Sequence, residues 1–227
     1  MTIRIVIADD HRIMRDGLVA LLRGQPDFEV VGEAPDGAEL ARLTRKLKPD
    51  IAVTDLSMAG LNGLEAIRRI RADEPGVKLL CLSVHAESRL VLAVLDAGAS
   101  GYVLKECSFE ELVQAIRQVV AGQVYLSAQL VGVVVQEYRA RVTGGAPQDS
   151  ASVLTPRERE LVQLFSEGYS TNAIAERLYV SAKTVATHRQ HILQKLRIGS
   201  MAELTRYALR EGLSSLDSGG ASALPAA

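Results

Sequence analysis

Apolar runs alternate with longer amphipathic segments over the first 122 residues of the chain. The apolar runs are short, rich in β-branched residues and bounded by turns, which predicts strands. They lie near residues 3–8, 28–34, 50–54, 77–83 and 101–104. Helical periodicity is found near residues 11–23, 36–47, 63–73, 86–96 and 108–121. Strands that alternate with helices are typical of βα units, so the predicted fold class is α/β with a doubly wound, five-stranded parallel sheet.

The pattern changes beyond residue 122. Residues 126–142 are rich in valine but long enough for a helix. Residues 143–152, TGGAPQDSAS, have the glycine, proline and serine content of a flexible linker. The last residues lack a periodic apolar face, which predicts disorder. The predicted divisions are a domain at 1–122, a linker region at 123–153, a small all-α domain at 154–213 and a disordered tail at 214–227.

The helices of the all-α domain have clear boundary signals. Thr155-Pro156-Arg157-Glu158 is a capping box, and the helix that it opens is expected to end at Gly168. Ser170 and Ser181 are each placed to cap a further helix, with only the turn at 179–181 between the two. Two helices joined by so short a turn are typical of a helix-turn-helix.

Length and composition set further limits. A chain of 227 residues suits two domains, each large enough to bury its own core. The chain has no run of 18 or more apolar residues, and Arg4 and Asp9 interrupt its N-terminal stretch, so we expect neither a membrane span nor a signal peptide. Cys81 and Cys107 have no metal-ligand spacing. These features predict a cytoplasmic protein with reduced cysteines.

Charge is distributed unevenly along the chain. Residues 1–150 carry 17 Lys and Arg against 20 Asp and Glu, while residues 151–214 carry 9 against 6. The mildly basic second part suits a module that binds nucleic acid, although a few solvated lysines could give the same balance by chance.

Polar residues follow four of the predicted strands: Asp9 and Asp10, Asp55, Ser83 and Lys105. The carboxyl ends of parallel strands meet at one edge of the sheet, so these side chains are expected to converge. Three aspartates in one crevice repel one another unless a hard cation such as Mg²⁺ joins them. Asp55 could then attack phosphorus and form an acyl phosphate, with Lys105 neutralising the developing charge and Ser83 donating a hydrogen bond.

Each of these residues also has a structural explanation when it is taken alone. Asp9 or Asp10 could cap the helix that starts near His11, Lys105 could be a solvated loop residue, and Ser83 an ordinary hydroxyl at a strand end. Only the joint pattern, at four strand ends in one register, favours the phosphoryl-transfer site.

Residues 1–122 resemble the receiver domain of two-component response regulators, which has a flavodoxin-like fold. The resemblance lies in Asp9-Asp10, in Asp55-Leu56-Ser57-Met58 leading to Gly63, in Ser83 and in Gly101-Tyr102-Val103-Leu104-Lys105. It implies that Asp55 is the phosphoacceptor. It also implies Mg²⁺ bound directly by Asp10, mostly through water by Asp9, and by the backbone carbonyl of Ser57.

The same resemblance assigns a signalling role to Ser83 and Tyr102, whose reorientation would report phosphorylation. The family commonly has proline where this chain has Ala59, so the loop after Asp55 is expected to be less rigid. Ser57 and His85 occupy positions that tune dephosphorylation in this family. For His85, orienting a water molecule and simply facing solvent remain equally open.

The third helix of the all-α domain has small and amide side chains opposite its apolar face, at Ala186, Thr187, Gln190 and Gln194. Short side chains let a helix approach the major groove, where Ala and Thr can meet thymine methyl groups and Gln can bond adenine. Lys183, Arg189 and Lys195 could pair with phosphates. For this helix alone, a solvated face in a small bundle is the better explanation.

Residues 154–213 also resemble the LuxR-type helix-turn-helix of the NarL and FixJ regulators, in LTPREREL, EGYSTNAIAERLYVS and KTVATHRQHILQKL. The resemblance implies that Ala186, Thr187 and Gln190 meet base edges, with Lys183 and Thr184 at the entering end of the helix. It further implies dimer contacts in the region 201–209.

Together these features predict a transcription factor that a sensor histidine kinase phosphorylates on Asp55 and that binds a promoter operator in double-stranded DNA as a homodimer. A phosphatase or phosphotransferase is the alternative in another class, but no substrate-pocket insertion or second general acid is evident near Asp55, so we do not expect an enzyme. A regulator that works without phosphorylation is the third possibility, against which the intact acidic pair and Lys105 argue.

Overall fold

The computed structural model of the protein describes residues 2–142 and 154–214. The chain divides into two compact units, Met1–Pro147 and Gln148–Ala227. The predicted flexible linker at 143–152 and all but the first residue of the predicted tail lie outside the described residues. Within the described ranges, no helix combines the length and the apolar character that crossing a membrane requires.

The first unit is a parallel sheet with helices on both faces, as the sequence predicted. Its elements are β1 (Ile3–Ala8), α1 (Arg12–Arg23), β2 (Phe28–Ala34), α2 (Gly37–Leu47), β3 (Ile51–Asp55), α3 (Gly63–Asp73), β4 (Lys78–Ser83), α4 (Ser88–Asp96), β5 (Gly101–Leu104), α5 (Phe109–Val120), β6 (Tyr125–Leu126) and α6 (Ala128–Val142). The strand order is β2-β1-β3-β4-β5-β6, and every neighbouring pair is parallel.

The described part of the sheet has six strands, one more than predicted. The extra strand, β6, has only two residues, and its Leu126 pairs with Tyr102 of β5. Two residues are too few for an alternating pattern to indicate a strand. Because Leu126 belongs to this strand, the valine-rich helix α6 begins at Ala128.

Side chains of each central strand alternate between two cores. On β1, Val6 and Ala8 lie in the core under α2, α3, α4 and α6, while Ile5 and Ile7 lie in the core under α1 and α5. Such burial on both faces is typical of doubly wound parallel sheets. Leu130 of α6 is completely buried in the first core, so α6 packs as part of this unit.

The second unit consists of α7 (Pro156–Ser166), α8 (Thr171–Arg177), α9 (Ala182–Leu196) and α10 (Met201–Arg210). Thr155 and Glu158 form both hydrogen bonds of the predicted capping box. Ser170 and Ser181 accept hydrogen bonds from the first turns of α8 and α9, as predicted. The apolar faces meet in one core, whose fully buried members include Val162, Ile174, Val185, Ile192, Leu204 and Ala208.

Candidate functional site

The structure brings Asp9, Asp55 and Lys105 together at the carboxyl ends of β1, β3 and β5. The Lys105 Nζ atom lies 2.8 Å from Asp9 Oδ2 and 2.9 Å from Asp55 Oδ2. Both carboxylates are buried, and Lys105 is largely buried. The other Asp55 oxygen, Oδ1, accepts a 2.7 Å hydrogen bond from the Leu56 N–H. Two carboxyl groups and one amino group thus lie together in a largely buried crevice.

Burial and neighbouring charges have opposite effects on the pKa values of Asp55 and Lys105. Burial raises the pKa of Asp55, and the neighbouring Lys105 only partly offsets that rise. For Lys105, burial alone would lower the pKa, but Asp55 and Asp9 outweigh it and the pKa is raised. The ammonium is therefore held charged beside the carboxylate that it contacts.

The acidic end of this crevice suits a hard divalent cation. Carboxylate oxygens of Asp9, Asp10 and Asp55 and a ring nitrogen of His11 all lie within 4.8 Å of one another. Asp10 Oδ1 is buried and accepts no hydrogen bond from the described residues, although His11 Nδ1 lies 2.9 Å away. Carboxylate oxygens are ligands that Mg²⁺ prefers. Ser57 lies beside these residues, and its backbone N–H bonds Asp55.

Neither member of the acidic pair caps α1, so the structural explanation for Asp9 or Asp10 as an N-cap is wrong. The N-cap residue is His11, whose side chain makes no capping hydrogen bond. Asp9 Oδ1 instead accepts a 2.8 Å bond from the backbone N–H of His11, which holds the carboxylate in the crevice. His11 itself was not predicted as a site residue.

Gly63 allows the loop after β3 to fold back against the site. A Cβ atom at this position would lie 2.0 Å from the backbone oxygen of Asp55, which no side chain can accommodate. The Gly63 N–H donates a 2.9 Å hydrogen bond to the Leu56 carbonyl. Glycine is therefore needed here for close backbone approach.

Ser83 and Tyr102, both fully buried, are linked through His85. The Ser83 hydroxyl accepts a 3.1 Å hydrogen bond from the His85 N–H, and the Tyr102 hydroxyl donates a 2.7 Å bond to the His85 carbonyl. The His85 ring lies 3.0 Å from the Ser57 hydroxyl, so it faces the loop after Asp55. Burial raises the pKa of Tyr102 well above its ordinary value, which leaves the hydroxyl protonated as a donor.

Ser127 joins β5 to the start of α6. Its backbone N–H donates a 3.1 Å bond to the Tyr102 carbonyl. Its hydroxyl accepts from the Leu104 N–H at 3.2 Å and donates to Glu111 of α5 at 2.8 Å. Ser127 is completely buried. Sequence reasoning missed this contact, because a single serine after a short strand has no periodic signal.

The predicted nucleic-acid interface lies on α9. Lys183, Thr184, Thr187, Arg189 and Gln190 are exposed, and Ala186 is half-buried. The Thr187 hydroxyl donates a 3.0 Å hydrogen bond to the Lys183 carbonyl, so its proton is already used within the helix. The opposite face is anchored in the core by the buried Val185 and Ile192.

Lys195, the seventh predicted DNA-binding residue, lies in a different environment from the other six. Its Nζ atom is 2.7 Å from both carboxylate oxygens of Glu158, the residue that completes the capping box of α7. Although burial opposes it, this ammonium and Thr155 lower the pKa of Glu158. A phosphate contact by Lys195 would compete with this ion pair.

Comparison with known proteins gives matches to both units. Residues 5–117 match the response regulator receiver domain, and residues 152–208 match the bacterial regulatory proteins of the luxR family. The chain is 36% identical over 223 residues to the transcriptional regulatory protein DegU of Brevibacillus brevis, covering 92% of this chain and 94% of that protein. It is 39% identical over 214 residues to the oxygen regulatory protein NreC of Staphylococcus carnosus, covering 92% and 98%.

A solved complex of the two-component response regulator RcsB with DNA superposes with a TM-score of 0.58 at 27% identity, covering 93% of this chain and 99% of that one. These relatives match both units of the chain, not one alone.

Proposed function

The chain belongs to the two-component response regulators that join a receiver domain to a LuxR-type DNA-binding domain, and on this basis we propose that it is a cytoplasmic transcription factor switched by phosphorylation of Asp55. A sensor histidine kinase is the proposed phosphoryl donor. A promoter operator in double-stranded DNA, bound by a homodimer, is the proposed target.

The chemistry proposed for Asp55 is attack by its carboxylate on the phosphorus of a phosphohistidine. An O–P bond forms as the N–P bond breaks, and the electron pair returns to the imidazole nitrogen, which then takes a proton from solvent. Lys105, 2.9 Å from Asp55 Oδ2, is placed to neutralise charge on the transferring oxygens. Ser83 is proposed to donate a hydrogen bond to the phosphoryl group.

Mg²⁺ is the proposed cofactor, held by Asp9, Asp10, Asp55 and the backbone carbonyl of Ser57. When bound, such a cation supplies positive charge to phosphoryl oxygens. The buried Oδ1 of Asp10 supports this assignment, because its neighbour at 2.9 Å is a ring nitrogen of His11 and it accepts no hydrogen bond from the described residues.

The proposed signal path runs from Asp55 through the Ser83 and Tyr102 pair to α6. A rearrangement of Tyr102 would displace Ser127, since the Ser127 N–H donates a hydrogen bond to the Tyr102 carbonyl. Ser127 directly precedes α6, the last described element before the DNA-binding unit. Phosphorylation would thus shift the equilibrium between two conformations of α6, the helix that leads to the predicted linker.

DNA recognition is proposed for the exposed face of α9. Ala186, Thr187 and Gln190 would meet base edges, and the flanking Lys183, Thr184 and Arg189 would contact the entering end of the site and its phosphates. One reading helix contacts too few bases for discrimination, so two copies on a two-fold operator are expected, with α10 as the proposed dimer contact.

The observation that carries the phosphorylation proposal is the buried contact of Lys105 with both Asp55 and Asp9. Intact-mass spectrometry of the full chain, incubated with Mg²⁺ and acetyl phosphate, should show one added phosphoryl group. The group should be absent from Asp55→Asn and present in the control Asp16→Asn, whose carboxylate is exposed. Equal phosphorylation of Asp55→Asn would contradict the assignment.

A further inference from the structure

The turn between α8 and α9 has an unusual residue at its centre. Tyr179 has a φ of +54°, in the left-handed region that bulky residues rarely adopt, and it is 96% exposed. Among the described residues, the other non-glycine residues with positive φ are the charged Lys48 and Arg197. Tyr179 thus combines backbone strain with an almost fully exposed aromatic ring, so packing against the described residues does not offset the strain.

The strain belongs to a turn that is firmly held. The Tyr179 N–H bonds the Glu176 carbonyl at 3.3 Å, and the Val180 N–H bonds the Ala175 carbonyl at 3.0 Å. From α7, Arg157 donates a 3.2 Å hydrogen bond to the carbonyl of Leu178. This left-handed position after a helix normally takes glycine or asparagine. The fold therefore requires this turn conformation, but the exposed Tyr179 ring adds almost no packing against the described residues.

The position of the ring indicates what it could meet. Tyr179 lies two residues before Ser181, the N-cap of α9, and four before Lys183, the first of the proposed DNA contacts. In a helix-turn-helix the start of the second helix enters the major groove while the first helix crosses the backbone. The turn between them is thereby brought to the phosphates beside the groove.

We propose that Tyr179 is a DNA-backbone contact whose phenol hydroxyl donates a hydrogen bond to a phosphate at the edge of each half-site. The proposal rests on the proposed function, since it requires DNA binding by α9. Tyrosine is among the residues that contact phosphates, and its neutral hydroxyl positions the protein without reading sequence. A rigid turn that displays the hydroxyl ahead of the reading helix would fix the register of that helix.

The test is fluorescence anisotropy of the full phosphodonor-treated chain on two duplexes, one selected by the wild-type protein from a random pool and one of unrelated sequence. Tyr179→Phe keeps the ring and removes the hydroxyl. It should weaken binding to both duplexes by about tenfold or more, as expected for one lost hydrogen bond to a charged group. Because tyrosine is neutral, the slope of log affinity against log salt should not change, whereas Lys183→Ala should reduce it.

Two further variants distinguish the loss of a phosphate contact from a change in folding stability and from the loss of any exposed tyrosine hydroxyl. Tyr179→Asn suits the left-handed conformation, so its Tm should be at least that of the wild type while its affinity falls as in Tyr179→Phe. Tyr138→Phe, at an exposed tyrosine of α6, should bind DNA as the wild type does.

Unchanged affinity in Tyr179→Phe, with Lys183→Ala impaired, would overturn the Tyr179 contact but leave the proposed function intact. Unchanged affinity together with lost transcription activation would assign Tyr179 to a protein partner and equally overturn it. No DNA binding by the wild-type chain would instead contradict the proposed function itself.

Discussion

At the scale of single residues, the burial of Asp55 makes its contribution to stability depend on pH. The pKa of Asp55 is raised above its ordinary value of 3.8 by burial. The folded state therefore binds this proton more tightly than the unfolded chain does. The contribution of Asp55 to the free energy of unfolding is largest below pH 3.8 and declines as pH rises through the folded-state pKa.

Replacing Asp55 by asparagine should therefore increase the free energy of unfolding at pH 7. Lys105 keeps Asp9 as a partner in this variant, 2.8 Å away. Urea denaturation at several pH values, without Mg²⁺, should show the difference from wild type narrowing as pH falls towards 4. Asp16→Asn, which removes an exposed carboxylate, is the control and should change stability little. A lower free energy of unfolding for Asp55→Asn than for the wild type at pH 7 would contradict this role of burial.

Asp10 gives a second prediction at this scale. Its buried Oδ1 accepts no hydrogen bond from the described residues, so a bound cation should stabilise the folded chain. Adding Mg²⁺ should raise the Tm of the wild type in a saturable way, and chelation should reverse the rise. Asp10→Asn should lose most of this response. An equal response in both proteins would place the cation elsewhere.

The sequence predicted the site residues that directly follow strands. It did not predict the residues whose contacts depend on how the backbone folds. Asp9, Asp55 and Lys105 could be placed together because parallel strands end at one edge. The contacts of His11 with the acidic pair and of Ser127 with Leu104 depend on local backbone direction and on a two-residue strand. Neither produces a pattern along the chain.

At the scale of elements, α6 is the helix that hydrophobic patterning describes least well. Its apolar residues lie on both the buried and the exposed side of the helix: Leu130 is completely buried, whereas Val131 beside it is 47% exposed. Packing of one side of α6 against the receiver core thus stabilises the helix. Intrinsic helix propensity alone would leave it only marginally stable.

The two neighbouring residues provide a matched test of this packing. Leu130→Ala should lower the free energy of unfolding of the receiver unit by about 2–4 kcal/mol, since it leaves a cavity in the core. Val131→Ala should change it by less than about 0.5 kcal/mol. Urea unfolding of the full chain, with hydrogen exchange of β4 and β5 amides to isolate this unit, would measure both. Similar effects of the two substitutions would mean that α6 is not docked as described.

At the scale of the whole molecule, two units with separate cores and separate chemistry lie on one chain. The buried carboxylates belong to the first unit, and the exposed face of α9 belongs to the second. The sequence predicted both folds because each has its own periodicity. It could not predict the operator, since most of the side chains proposed to read bases are exposed and packing among the described residues does not determine their identity.

Fluorescence anisotropy can show whether phosphorylation of Asp55 controls DNA binding. The full-length wild type and Asp55→Asn would be titrated onto a duplex selected from a random pool, each with and without Mg²⁺ and acetyl phosphate. Tighter binding of the wild type with the phosphodonor, by about tenfold, is predicted, with no change in Asp55→Asn. Equal affinity under all conditions would contradict control by phosphorylation.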